Sequence, residues 1–242
     1  MWFEPGITKE NMNWFFKELA KEYRKLSGKA IPAEIILIGG AAVLANYGFR
    51  ETTYDIDAII AASSAMKGAA NKVGDKLGLP SGWLNFDFRR TCSYSDKLPQ
   101  VSVFYKTYSN ILTIRAISAE YLIAMKLMAG RRYKFDLSDV AGILWEHEKI
   151  GHPVARDDID RAINELYGGW QDVPQISRFL LDAAYESGDF ESVYRDIRKS
   201  EVESKEILLD FIGKHQGTLN SDNIDAILEE AKTKRREGGQ DE

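Results

Sequence analysis

The chain has 242 residues, enough for one large domain or two smaller ones around a substantial core. With 44% hydrophobic and 29% charged residues, no apolar run of membrane-spanning length and no signal-peptide pattern, it reads as a soluble, membrane-free protein. The single cysteine, Cys92, excludes an internal disulfide and a zinc cluster and makes the cytoplasm the expected compartment. A net charge of −5 and a pI near 5.4 argue against a broadly basic nucleic-acid binder, though not against a local basic groove.

Thr8 is placed to cap a helix running to about Leu26, with Met12, Phe15, Phe16, Leu19, Tyr23 and Leu26 near helical spacing and Gly28 as its stop. Ile35 to Ile38 is a continuous apolar run, as expected of a central strand covered on both faces. Gly39 and Gly40 end it with a sharp turn, and Ala41 to Tyr47 reads as a two-turn helix. Tyr54 to Ile60 is a second strand that carries Asp55 and Asp57.

The spacing of those aspartates carries the chemical argument. Residues i and i+2 of a strand share a face, so both carboxylates project together. Two like charges held close are costly unless a cation neutralises them, and hard oxygen ligands with room for water suit Mg²⁺ or Mn²⁺. The Gly39–Gly40 turn, leading into a helix N-terminus at Ala41, offers backbone N–H groups to an anion. A metal-binding pair beside an anion cradle points to a nucleoside triphosphate.

Ser63 to Leu77 reads as an amphipathic helix, and Trp83 is expected to be buried in the sheet. Residues 89–100 read as a loop, and Val101–Tyr105 and Ile111–Ile117 as strands joined by a turn near Ser109–Asn110. Helix Ala119–Ala129 is apolar on most faces and contains one cation, Lys126. A basic turn follows (Gly130–Lys134), then a second helix on which Asp136 is the expected cap and Asp139 lies one turn on. Glu146, His147 and Glu148 are adjacent and fan around this helix, so they cannot share one ion; His152 and His215 are isolated. From about Pro153 the chain reads as helices over 157–167, 174–186, 190–211 with a break near Ser200, and 222–234. Leu219–Ser221 marks the last start, and the final eight residues form a frayed tail.

Apolar strand, Gly-Gly, short helix and Asp-x-Asp together resemble the nucleotidyltransferase superfamily. Gly-Gly-Ala followed by Arg50-x-x-Thr53-x-Asp55-Ile-Asp57 is similar to its AbiEii-like branch, which includes toxins of toxin–antitoxin systems. The later order Met125-Lys126, Ala129-Gly130-Arg131 and Asp136-x-x-Asp139 matches that branch's downstream motif. The resemblance, over roughly residues 30–145, implies an α/β fold, a small mixed sheet with flanking helices; with no linker in the helical half, the expected organisation is a nucleotidyltransferase-type domain over 1–150 and a helical region over 151–242 packed against it. It also implies Asp55 and Asp57 on the metal, Lys126 on the triphosphate and Asp139 supporting that lysine or the metal. Gly39, Gly40, Ala41, Arg50 and Thr53 complete the expected nucleotide site. Many superfamily members carry a third metal-binding acid on a later strand; here Ser102 occupies the expected place, with Asp87 as a substitute. Acceptors suggested by the resemblance are the tRNA 3′ end or another RNA, with an antitoxin as a protein partner. A basic track near Arg89, Arg90, Arg131, Arg132 and Lys134 would serve an RNA. The rival readings are a small-molecule modifier, using Asp157, Asp158 and Asp160 for a cationic acceptor, and a degenerate interaction module.

Overall fold

The computed structural model describes residues 6–28, 31–215, 218 and 223–238, with the side chains of 234–238 excepted. The expected helix start at Leu219–Ser221 and the last four residues lie outside these.

Helix α1 (Lys9–Ser27) begins where expected. Thr8 accepts from the Asn11 N–H while the Asn11 side chain accepts from the Thr8 N–H, so both orphan donors are satisfied reciprocally. Strand β1 (Ala33–Leu37) leads directly into α2 (Gly39–Asn46), so the paired glycines form the first turn of the helix rather than a loop before it. Strand β2 (Ile56–Ala61) starts one residue after Asp55; the expected strand began two residues too early, because Tyr54 and Asp55 form a bend. Helix α3 (Ala65–Leu77), the two-residue β3 (Leu84–Asn85), β4 (Ser102–Tyr108) and β5 (Leu112–Ile117) complete the sheet region. Residues 89–100 are a connection interrupted by short 3-10 turns. Ser109 and Asn110 both take left-handed φ, the geometry a tight hairpin between β4 and β5 requires.

The sheet order is β3-β2-β1-β5-β4, with β1–β5 and β2–β3 parallel and β1–β2 and β4–β5 antiparallel. Strand β1 is the central one of the five: Ile35, Ile36 and Leu37 are all buried, each contributing roughly 1.5–3 kcal/mol relative to exposure. Trp83 is buried as expected, its indole N–H donating to the Ala70 carbonyl.

Helix α4 (Ala119–Ala129) is followed by α5 (Asp136–Lys149), α6 (Arg156–Tyr167), α7 (Gln175–Ser187), α8 (Phe190–Lys214) and α9 (Ile224–Gly238). Helix α8 runs unbroken through Ser200, against the expected break. Ser204 donates to the Ser200 carbonyl inside the helix, so the serines are absorbed without ending it. Residues 235–238, expected as tail, extend α9. The fold is the expected α/β arrangement of a mixed five-stranded sheet, flanking helices and a helical C-terminal region. One hydrophobic cluster runs from Ile7 to Phe190, and a smaller one joins the end of α8 to α9 through Ile207, Leu208, Ile224 and Leu228.

Candidate active site

The site is assembled where β1 passes into α2. Gly39 has φ +55°, and a Cβ there would stand 3.2 Å from Asp57 Oδ2. A Cβ on Gly40 would stand 2.7 Å from Arg50 Nη2 and 2.8 Å from Thr53 Oγ1. The pair is therefore glycine because a carboxylate, a guanidinium and a hydroxyl all press against the start of α2. Ile38 supplies no side-chain cap, so the first-turn N–H groups of Gly39, Gly40 and Ala41 are left for another acceptor. Ala41 itself is buried and contributes backbone only.

Asp55 and Asp57 both line the cleft that opens here, Asp55 from the bend and Asp57 from β2. Burial, then the nearby Asp55 charge, push the Asp57 carboxyl above its ordinary value. Its Oδ1 accepts from Asn85 Nδ2 at 2.7 Å, while its Oδ2 faces Gly39. Among the described residues no three His, Cys, Asp or Glu side chains converge as a complete metal set. The donors present are two carboxylates, hard oxygens that fit a Mg²⁺ or Mn²⁺ ion completing its shell with substrate phosphate and water.

The structure corrects the search for a third acid. Ser102 lies on β4, at the opposite edge of the sheet from β2, and its hydroxyl is engaged by Arg115 and Pro99. Asp87 is exposed and does not line the cleft. The strand beside β2 is β3, and the residue in register with Asp57 is Asn85, a neutral amide.

A buried chain of alternating charge forms the second wall. Arg50 Nη1 donates to Asp139 Oδ2, which also receives Lys126 Nζ at 2.7 Å. Lys126 reaches Asp136 Oδ1 at 2.9 Å, and Arg131 Nε reaches Asp136 Oδ2 at 2.7 Å. Burial alone would lower the Lys126 pKa, but Asp139 and Asp136 outweigh it and raise it. Burial likewise opposes the Asp136 charge, yet Lys126 and Arg131 hold its carboxyl below the usual range. Arg50 thus orients on Asp139, not on Asp55 or Asp57. Asp136 is not the cap of α5; Phe135, in left-handed conformation, precedes the helix, and Asp136 is a fully buried partner of Lys126. Local packing sets this up: a Cβ on Gly142 would stand 2.6 Å from the Phe49 ring, so glycine lets Phe49 lie on α5 and delivers Arg50 to Asp139 one turn away.

The cleft encloses about 510 Å³ and is roofed by α8. Arg198, Glu201, Lys205, Leu208 and Ile212 recur at spacings of three and four, one face of a helix. Glu201 is buried and caps α5 from outside: its Oε1 accepts from the N–H of Leu137 at 3.0 Å and of Ser138 at 3.4 Å, while Oε2 has no partner. Burial pushes its carboxyl up to about 7. Of the expected basic track, Arg131 and Lys134 line the cleft; Arg89, Arg90 and Arg132 do not, and Arg132 pairs with Glu229 on α9. Asp157, Asp158 and Asp160 sit on α6, away from the cleft, where Asp158 and Asp160 pair with Arg161 and Arg156. His147 is held between the Tyr47 hydroxyl and the His152 carbonyl. No helix among the described residues is long and apolar enough to cross a membrane.

Sequence reading missed Asn85, Glu201, Arg198 and Lys205. Asn85 stands in a Trp-Leu-Asn stretch that was visible, but its register with Asp57 was not; the three α8 residues look like any charged helix.

A mixed sheet that brings Gly-Gly at a helix start against an Asp-x-Asp strand, with Lys126 and Asp139 behind, defines a nucleotidyltransferase. The sequence profile of a family described as nucleotidyltransferase of unknown function (DUF6036) matches residues 15–144, more than half of the chain. The protein belongs to that family. No curated protein and no solved structure matches the chain.

Proposed function

We propose that the protein transfers a nucleoside monophosphate from a nucleoside triphosphate to an acceptor hydroxyl. The observation that carries this reading is the meeting of three features at one point: the uncapped N–H groups of α2, Arg50 with Thr53, and the Asp55–Asp57 pair. The helix start would hold the distal phosphates, with Arg50 and Lys126 as fixed positive charge behind them. Asp55 and Asp57 would hold Mg²⁺ or Mn²⁺, which when bound offsets charge developing on the phosphates. The acceptor oxygen forms a bond to the α-phosphorus as the bond to the bridging oxygen breaks. The electron pair leaves with pyrophosphate, and the acceptor proton passes to a cleft carboxylate, Asp55 or Asp57.

The likeness to the AbiEii-like branch supports RNA, such as the tRNA 3′ end, as acceptor and an antitoxin as partner. The excess of cations in the cleft agrees with an anionic acceptor, whereas Asp157, Asp158 and Asp160, which a cationic acceptor would need, lie elsewhere on α6.

The test is transfer of α-labelled nucleotide, each of the four in turn, with Mg²⁺ and total RNA, beside an Asp57→Ala control. Label in RNA that disappears in the control supports the reading. Absence of both transfer and nucleotide binding sinks it. Metal-dependent binding without transfer to any acceptor would favour an interaction module.

A further inference from the structure

The cations of the cleft divide into two sets. Arg50, Lys126 and Arg131 are each tied to Asp139 or Asp136. Lys134, Arg198 and Lys205 also line the cleft, and none of them makes an ion pair among the described residues. Two of these cations lie over aromatic rings and bond only to hydroxyls, Arg198 Nη1 donating to Ser138 Oγ at 3.5 Å and Lys205 Nζ to the Tyr54 hydroxyl at 3.4 Å. The Arg198 guanidinium is 3.5 Å from the Phe135 ring centroid, and Lys205 Nζ is 4.6 Å from that of Tyr54 and 5.8 Å from that of Phe135. Tyr54 is 56% exposed, and Leu209 and Ile212 extend the apolar surface along the same wall.

Uncompensated positive charge interleaved with rings and aliphatic surface is what a phosphate joined to a planar heterocycle requires: the cations neutralise the phosphate and the ring stacks. Phe135 holds a left-handed backbone at φ +61°, uncommon for a bulky residue, and that conformation presents its ring to Arg198. Of the first set, Arg50 presses against the start of α2, where the donor's phosphates are placed.

We propose that Tyr54, Phe135, Arg198 and Lys205, with Lys134 at the edge, form a second nucleotide-binding subsite under α8 that holds the acceptor as a nucleoside phosphate unit. This rests on the donor assignment above. The unit has two sources, a free mononucleotide or the terminal nucleotide of an RNA strand, and the same pocket chemistry serves both.

The experiment measures binding of fluorescent nucleoside monophosphates and of a fluorescent single-stranded RNA decamer to the full chain. It is done with and without Mg²⁺ and a saturating mixture of the four α,β-methylene nucleoside triphosphates, which fill the donor site without transfer. Expected is binding that persists beside the triphosphates and weakens roughly tenfold or more in Arg198→Glu/Lys205→Glu, as for loss of charge-assisted contacts. Lys134→Glu, at an exposed position where folding is not disturbed, weakens it in the same direction. Retention by the monophosphates assigns a free nucleotide; retention by the decamer alone assigns a strand end. Displacement by the triphosphates would hand this rim to the donor's base and overturn the proposal, as would equal affinity in all variants or no binding to the wild type. Binding of the triphosphate mixture itself is read separately. Its failure would remove the donor assignment, while its presence without a second nucleotide would remove only the subsite.

Discussion

At the scale of single residues, the site depends on two kinds of fit. Gly40 is a steric requirement. Gly40→Ala places a methyl group where Arg50 and Thr53 already stand, and both are side-chain ends that can move aside. The expected outcome is a folded protein whose affinity for magnesium nucleotide, measured by calorimetry, falls about tenfold or more as the anion cradle is displaced. Asp139 is an electrostatic requirement. It is fully buried between Arg50 and Lys126, so Asp139→Asn leaves two buried cations short of a counter-charge. Breaking a buried pair in this way costs about 3 kcal/mol or more, readable as a lower urea midpoint; an unchanged midpoint would show that the chain of charges carries no stability. Asp55, Asp57, Lys126 and Asp139 were legible because they recur in short motifs. The partnership of Arg50 with Asp139 was not, since 89 positions separate them and the packing that joins them, Phe49 on Gly142 and Tyr47 on His147, is a product of the fold.

At the scale of elements, α5 and α8 behave as one unit joined by Glu201. In the folded chain Glu201 titrates at about 7, against 4.5 for the ordinary side chain, with burial as the first cause. The folded state therefore keeps a proton that the unfolded state has released. This contribution to stability is fully present below pH 4.5 and is lost as the pH rises to about 7. Asp136, shifted downward, acts in the opposite sense and only in more acid solution. Glu201→Gln keeps an acceptor for the α5 N–H groups without the charge. It is expected to remove this part of the pH dependence and to exceed the wild type in stability at pH 8 by about 2 kcal/mol. Parallel stability–pH curves for the two proteins would refute the assignment. The sequence could not supply this contact. A glutamate in the middle of a helix rich in Glu and Lys has no mark of burial, and Ser200 beside it looked like a break.

At the scale of the whole molecule, the core is unevenly shared. A single cluster ties α1 to the start of α8, whereas α9 is anchored mainly by Ile224 and Leu228 against Ile207 and Leu208. Local opening follows buried contact, so amide hydrogens of α9 are expected to exchange well before those of α4 and α5 in native-state exchange. Equal protection in all three helices would show that the smaller cluster opens only with the rest. The element types along the chain were readable from periodicity and punctuation. Strand order was not, because nothing in the run from Ser102 to Ile117 states that β5, rather than β4, lies against β1, or that β3 closes the other edge. That gap sent the third-acid search to Ser102 when the neighbour of Asp57 was Asn85.

The cap that Glu201 provides also governs traffic. Raising α8 from α5 would leave the Leu137 and Ser138 N–H groups without their acceptor and strip the Glu201 carboxyl of its donors, so the roof is costly to swing. With the roof held down, the cleft opens to solvent beside its rim, where Tyr54 is 56% exposed and lies under Lys205. A ligand arriving there meets walls already standing, and need not wait for them to close around it.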